Sequence, residues 1–507
     1  MELNFERNYM NCYDLVLDTS IYQEETLEAI VPDACPDILR IVDAGGQVCL
    51  LGKNVFDAGV SVSGMIKAWV LYQPEEQQEL CRVEMKLPFT LQAEAAGLNS
   101  QGQCVVTPCL RGVDARALNP RKMLLRADVG AALQAYQPKE LILCRSVSCD
   151  ESAGVQQYTT SSVACVTAVV QEKEFSFYDE VRLSVGPAGP AELLCVQADA
   201  WCTESKLIGN KLIFKGELAL QIRYQVEGEL CSMRCPMAFS QIMEVSGTGE
   251  TASCDLSMCV TDLNCVLAGE DHRMLNVTVE LLGQGVVQDQ VPVTLLQDMY
   301  STVYDMASQQ ELCTLCQLEE QAVRPQSVRE MLEIGTTVKQ VIDASVCVSQ
   351  MKQSRQDDQV TVSADLSLKL LCLDEQNIPQ AFQRVLTVSG RLDLPPQGTC
   401  QCRCLCPGEI FAVPTAGGVE VRLTPQFQYT ITRRQTVPVI TGGKLGEPHA
   451  TQQERQPSVV LRLAAPEESL WDIAKSYFTT QERILRANQL ESDSLPSGQM
   501  LLIPSVR

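Results

Sequence analysis

One passage occurs three times in this chain, and it decides what most of the chain can become. Val60 to Tyr72, Leu212 to Tyr224 and Val360 to Cys372 align without gaps, at a period of about 150 residues. In each copy a small residue (Gly64, Gly216, Ala364) stands eight places before a Tyr or Cys, and polar and apolar residues roughly alternate. A polar turn then follows, at residues 73–75, 227–229 and 374–376. Alternation with period two marks a half-buried strand, and a turn directly after it marks a hairpin. Further strand-like stretches run through Pro88 and Phe89, through Pro236 to Phe239, and at Phe382, and the first two copies close on matched segments at Lys122–Leu124 and Arg273–Leu275. The sequence therefore predicts a mainly β protein built from three tandem β-rich, sandwich-like repeats over residues 1–150, 151–295 and 296–440. A chain of 507 residues can hold several such cores.

Two local readings belong to the repeats. A glycine at one fixed register of a strand otherwise rich in large or branched side chains marks a place where a side chain would collide; Ala364 in the third copy makes that a tight fit, not a forbidden backbone angle. Ahead of the first hairpin, Asp33 and the prolines around it, with Ile38, Ile41 and Val42 on one side and Gly45–Gly46 beyond, predict a short helix packed on its sheet. Its echoes at residues 185–194 and 324–332 are weaker.

After a polar linker at 441–457, residues 458–507 change character to a small α+β module with the order βααβ. Ser469 and Asp472, and Thr479 and Glu482, have the spacing of capping boxes and predict two helix starts. Leu470, Ile473, Ala474 and Tyr477, then Ile484, Leu485 and Asn488, recur at helical spacing, and Pro496–Gln499 turns the chain into a last strand at Met500–Ile503. The run Leu470–Ala474, the Asn488 that ends the second helix, and Leu495–Pro504 resemble a LysM domain. The resemblance implies a shallow groove for N-acetylglucosamine-containing glycans, between the first loop and the loop after the second helix. The partner- or glycan-binding residues it implies are Glu467, Glu468, Ser469, Trp471, Asn488 and Gly498. Glu467 and Glu468 replace the Gly-Asp usual before the first helix, which leaves two readings: acids placed at the positive end of a helix, or a remodelled binding loop. Trp471, directly after that loop, is a candidate protein-docking anchor, or else a cover for the module's own core.

Composition excludes several classes. A net charge of −23 argues against nucleic acid or an anionic membrane as partner, since phosphate binding needs a Lys/Arg surplus. The N-terminus lacks a basic start followed by an apolar stretch, and no run of eighteen apolar residues occurs, so neither an export signal nor a membrane span is expected. The 24 cysteines then read as reduced thiols. Cys400, Cys402, Cys404 and Cys406 would share one face of a strand; the sharper alternative, a zinc or cluster site helped by Cys313 and Cys316, needs ligands converging from separate turns.

An enzyme finds little support. His272 and His449 are the only histidines, one in a turn and one in the linker-like stretch, and no His-Glu-x-x-His, Gly-x-Ser-x-Gly or complete phosphate loop occurs. No cofactor, metal or catalytic residue is expected, although a pair of acids acting on a glycoside stays open among 63 Asp and Glu.

The segment Val31–Val42, the Gly-x7-Tyr hairpins, the three repeats and the terminal LysM together resemble the SipL type of spore-coat morphogenetic protein, whose repeats are called SPOCS domains. The resemblance implies a non-catalytic scaffold in the mother-cell cytoplasm at the forespore surface, linking the coat basement ATPase, stage IV sporulation protein A, to that surface. The alternative is a wall protein that binds peptidoglycan.

Overall fold

The computed structural model describes residues 2–75, 79–249, 251–269, 272–449, 459–465, 468–490, 492 and 500–504. Each repeat packs a three-stranded hairpin sheet on an antiparallel ladder around one core, and the ladders of the first two repeats join edge to edge, through Tyr13 and Thr167, in one six-stranded sheet. In the first, β1 (Asn4–Ile30), β6 (Lys122–Ser148) and β5 (Gln103–Asn119) form a long ladder, and β2 (Ile38–Phe56), β3 (Gly59–Pro74) and β4 (Cys81–Glu94) form a hairpin sheet packed on it. The second repeats this with β7 (Val155–Arg182), β12 (Met274–Ser301) and β11 (Ser253–Ala268) against β8 (Ala191–Ile208), β9 (Lys211–Val226) and β10 (Glu229–Glu244). In the third, the ladder is cut in two near Pro325, Pro407 and Pro425. It runs as β13 (Tyr304–Pro325), β21 (Gln426–Pro448) and β18 (Gly398–Leu405), and continues as β14 (Val328–Leu332), β20 (Gly418–Leu423) and β19 (Phe411–Thr415). Its hairpin sheet is β15 (Val338–Gln356), β16 (Gln359–Asp374) and β17 (Pro379–Asp393). The C-terminal module is β22 (Val459–Leu463), α1 (Leu470–Ser476), α2 (Gln481–Asn488) and β23 (Met500–Pro504).

The recurring passage is the middle strand of each hairpin sheet, β3, β9 and β16. Its alternate residues point into the repeat's own core, and the Gly-x7-Tyr motif closes that core: the Tyr72 hydroxyl donates to the Pro36 carbonyl at 2.9 Å and Tyr224 to Val185 at 2.7 Å. At the β9–β10 turn, Glu227 and Gly228 both take positive φ (50° and 76°), the geometry that keeps two twisted strands paired.

Two sequence expectations are corrected. The stretch around Asp33 is a turn, and β2 begins at Ile38. Ile38, Ile41 and Val42 have a spacing that fits a helix, but they are β-branched, Ile38 and Ile41 pair with β3 with Val42 at the bulge beside them, and the carbonyls of Val31, Pro32 and Cys35 are taken by the Arg121 guanidinium at 2.7–3.2 Å instead of by helical N–H groups. Arg273 does the same for Leu183 and Gly189 in the second repeat. The last strands also run further than drawn: β12 passes residue 295 to Ser301, and β21 passes 440 to Pro448, so residues 441–448 are paired strand and not linker. Pro138, Pro292 and Pro438 lie at matching points of the three ladders, where the third strand has already stopped; a residue without N–H costs nothing on that free edge.

The repeats meet at two larger shared apolar cores and at a small one, where Val105 and Tyr136 of the first pack on Val170 and Val286 of the second. Leu143, Val147, Val293, Leu296, Leu315 and Ile440 bring the ends of the three ladders together, and Trp69, Leu71, Leu194 and Leu371 bring the hairpin sheets together. Beside the second core lies a closed ionic network. Arg223 of β9 pairs with Asp43 of β2 (3.1 Å) and with Asp343 of β15, and Lys369 of β16 pairs with Asp43. Glutamines read backbone across the same borders: Gln284 takes both the N–H and the carbonyl of Val106 (3.0 and 2.8 Å), and Gln225 those of Leu80 (3.1 and 2.9 Å).

All 24 cysteines are free, and Cys400, Cys402, Cys404 and Cys406 do line one side, packed on the third core. Among the described residues no group of three or more His, Cys, Asp or Glu is arranged to hold a metal ion. Burial pushes Cys195, Cys259 and Cys347 up to about 12 and Cys49, Cys109 and Cys165 up to about 11, from an ordinary 9.0. These thiols hold their protons more tightly folded than unfolded. Their contribution to stability is complete below pH 9.0 and is lost as pH rises through about 11–12. Denaturant unfolding should show a lower midpoint at about pH 10 than at about pH 7, and thiol titration under denaturing, non-reducing conditions should recover nearly all 24.

Candidate functional site

The C-terminal module encloses its own small core of Leu470, Ile473, Ala474, Ile484, Leu501 and Ile503. Ser469 caps α1 as its spacing predicts, accepting the Asp472 N–H at 3.0 Å and donating to the Asp472 carboxylate at 2.5 Å. The second cap sits one residue later than expected. Thr480 accepts the Arg483 N–H, and Thr479 is buried with its hydroxyl unpaired. Two adjacent threonines offer the same cap chemistry, and burial of the first leaves the second to do it.

The remaining expected site residues are placed as follows. Glu468 is braced inward: it pairs with Arg462 and accepts the Ala465 N–H at 3.1 Å. Asn488 spends both amide hydrogens on the Ile484 and Leu502 carbonyls (2.8 and 2.7 Å) and accepts the Leu502 N–H at 2.6 Å, so it pins α2 to β23. Glu467 and Gly498 lie outside the described residues, as does most of the loop after α2.

Trp471 is 7 % exposed because it is taken up by the second repeat. Its ring lies 5.4 Å from Tyr158 and 4.8 Å, edge-on, from Tyr300, and its indole N–H donates to Asp298 at 2.8 Å. Lys475, one helical turn on, reaches the same carboxylate at 2.7 Å, and Tyr300 donates its hydroxyl to the Thr479 carbonyl at 2.7 Å. His449 adds a second clasp: its ring lies 3.9 Å from that of Phe478, tilted by 43°, and bonds Asp305 at 2.9 Å. Asp298, Tyr158 and Tyr300 had no local signature in the sequence, since they lie well over a hundred residues from the side chains they hold.

Replacing Asp298 with Ala should release the module. The buried indole N–H loses its acceptor and Lys475 its partner, at a cost of about 1–3 kcal/mol to the contact. Small-angle scattering should show a more extended particle and limited proteolysis should release the module sooner, while Asp298→Asn, which keeps an acceptor for Trp471, should fall between.

With α1 facing the second repeat, the opposite face of the module is the outer side of β22–β23. It carries Val459, Leu461, Leu463, Met500 and Leu502, each 39–65 % exposed. β23 is thus apolar on both faces, with Leu501 and Ile503 in the module's core, while β22 carries Val460 and the Glu468-paired Arg462 on its inner face.

Residues 37–118 and 191–268 match the family model described as SipL, SPOCS domain, and residues 465–504 match the LysM domain. No curated protein and no solved structure matches the chain. Both matched families are non-catalytic binding or scaffold domains of sporulation-related and wall-binding proteins, and among the described residues no helix is long and apolar enough to cross a membrane. The matched segments are the hairpin sheets with their following ladder strand in the first two repeats, and α1, α2 and β23 of the C-terminal module: the chain carries SipL-type SPOCS domains followed by a C-terminal LysM domain.

Proposed function

We propose that the protein is a non-catalytic adaptor of spore-coat assembly, working at the forespore surface on the mother-cell side, with the LysM as its docking end for the coat basement ATPase, stage IV sporulation protein A. The observation that carries this reading is the contrast between the two faces of the LysM. One is fixed to the second repeat through Trp471 and Asp298, and the other presents five exposed apolar side chains on a two-stranded sheet. A rigidly mounted, uncovered apolar face suits a protein partner better than a sugar, which needs hydrogen-bonding groups. Trp471 supports that face from behind and is not itself the contact.

The alternative, peptidoglycan binding, is favoured by the LysM match itself. Parallel pull-downs of the full chain on the purified coat ATPase and on insoluble peptidoglycan separate the two. The adaptor reading expects retention on the ATPase that is lost in Leu461→Lys, with the fold intact by circular dichroism. Retention on peptidoglycan alone sinks it.

A further inference from the structure

A cavity of about 570 Å³ lies where the three hairpin sheets converge, with the first strand of each sheet, β2, β8 and β15, in its wall. We propose that this cavity binds a small organic ammonium ion, with the Asp199 carboxylate as its counter-charge, at a site separate from the LysM.

The three repeats put one side chain each at the same register of that wall. Gln47, Asp199 and Cys347 stand opposite Lys67, Ala219 and Ser367, the residues three places after Gly64, Gly216 and Ala364. Gln47 accepts the Ala198 N–H at 2.9 Å, and Cys347 donates its thiol hydrogen to the Leu110 carbonyl at 3.1 Å. Asp199 alone of the three has no hydrogen bond and no ion pair among the described residues. Its carboxyl is hemmed in by protein, which pushes it above the ordinary carboxylate range. Yet the residue keeps the accessible surface of an exposed one, so it looks into the cavity and can be reached.

An unpaired charge enclosed by protein is costly, and the cations of the lining are engaged elsewhere. Lys369 is closed into the ionic network with Asp43, and Arg111 pairs with Asp128 at 3.3 Å. Arg234, the cation that acts on Asp199 from a distance, donates to the Gly408 carbonyl. Glu409, exposed beside that carbonyl, adds a second acid and marks the way in. The missing partner is therefore a cation from outside, and the neighbours narrow its class. Trp201 is two residues after Asp199, hence on the same face of β8 and in the same wall; a ring beside a carboxylate takes an ammonium group through charge and cation–π attraction together. A metal ion would need a convergent ligand set, and no group of three is arranged for one among the described residues. The volume is within the range of small-molecule sites and takes a short diamine.

Titration calorimetry of the full chain at physiological salt, with putrescine and with butanediol as its uncharged counterpart, tests the site. A single equivalent of putrescine is expected to bind, and the diol is not. Asp199→Asn should weaken putrescine binding about tenfold, the loss of a contact to a charged group, while leaving the ligand-free melting temperature unchanged or raised, since it removes an unpaired charge. Trp201→Leu should weaken binding about threefold, the size of a cation–π contribution. The proposal is overturned if putrescine does not bind, if the diol binds as tightly, if Asp199→Asn lowers the melting temperature, which would give the carboxylate a structural role, or if both variants keep full affinity, which would move the diamine to acids on the outer surface.

Discussion

Replacing Arg223 with Leu should destabilise the assembly of the three repeats by about 3–5 kcal/mol, the largest single-site effect expected in this protein. The substitution looks innocent in the repeat alignment, since the matching positions of the other copies are Leu71 and Leu371, both buried. It is not innocent in the fold. Arg223 is 2 % exposed and stands between the carboxylates of Asp43 and Asp343, each about as deeply buried. Without it, Asp43 keeps Lys369, but Asp343 keeps only the neutral donors Gln221 and Ser232, which leaves a buried charge uncompensated. A second substitution separates this cause from mere loss of packing. Arg223→Leu with Asp343→Asn removes both charges, and should recover a large part of the loss, because replacing a buried pair is far cheaper than breaking it. Urea unfolding of the single and double variants measures both quantities. If the double variant is as unstable as the single one, the network's charge balance is not what holds the hairpin sheets together.

That network also shows where the sequence stops being legible. The β architecture could be read because Gly64, Gly216 and their distant tyrosines recur in register, and because period-two alternation is a local property. The ionic junction could not be predicted by the same means, as Asp43, Arg223 and Asp343 become neighbours only after three separate sheets have formed. A trace of it was nevertheless present: a charged residue where two sister copies carry Leu marks a place where the copies do different things. The short helix expected at residues 33–42 failed for a related reason. Ile38, Ile41 and Val42 satisfy helical spacing, but the choice was made by pairing with β3 and by Arg121, which lies more than eighty residues away. In the LysM, capping residues three apart were readable to within one position. The role of Trp471 was not, because its partners Tyr158, Asp298 and Tyr300 belong to another domain.

Replacing Gly216 with Val should lower the melting temperature clearly and cost about 1–3 kcal/mol or more. A Cβ at this position would lie 2.2 Å from the Phe239 ring and 2.5 Å from the Trp201 carbonyl oxygen. The ring could turn aside, but the carbonyl belongs to β8 and can give only if the strand itself moves. Gly64 is built the same way, 2.2 Å from Phe89 and 2.7 Å from the Cys49 carbonyl. In both repeats the glycine is cross-strand neighbour to a phenylalanine, so the ring lies over bare backbone. The third repeat solves the same problem with other sizes: Ala364 faces Val388, and both are buried. Glycine and phenylalanine, or alanine and valine, fill one volume in two ways. Copying the third repeat into the second tests this account. Gly216→Ala alone should destabilise, and Gly216→Ala with Phe239→Val should be less destabilised than the sum of its two single changes, since the smaller ring site makes room for the methyl group. Additivity within about 0.5 kcal/mol would show that the two positions do not share the space, and that the recurring glycine answers to the carbonyl alone.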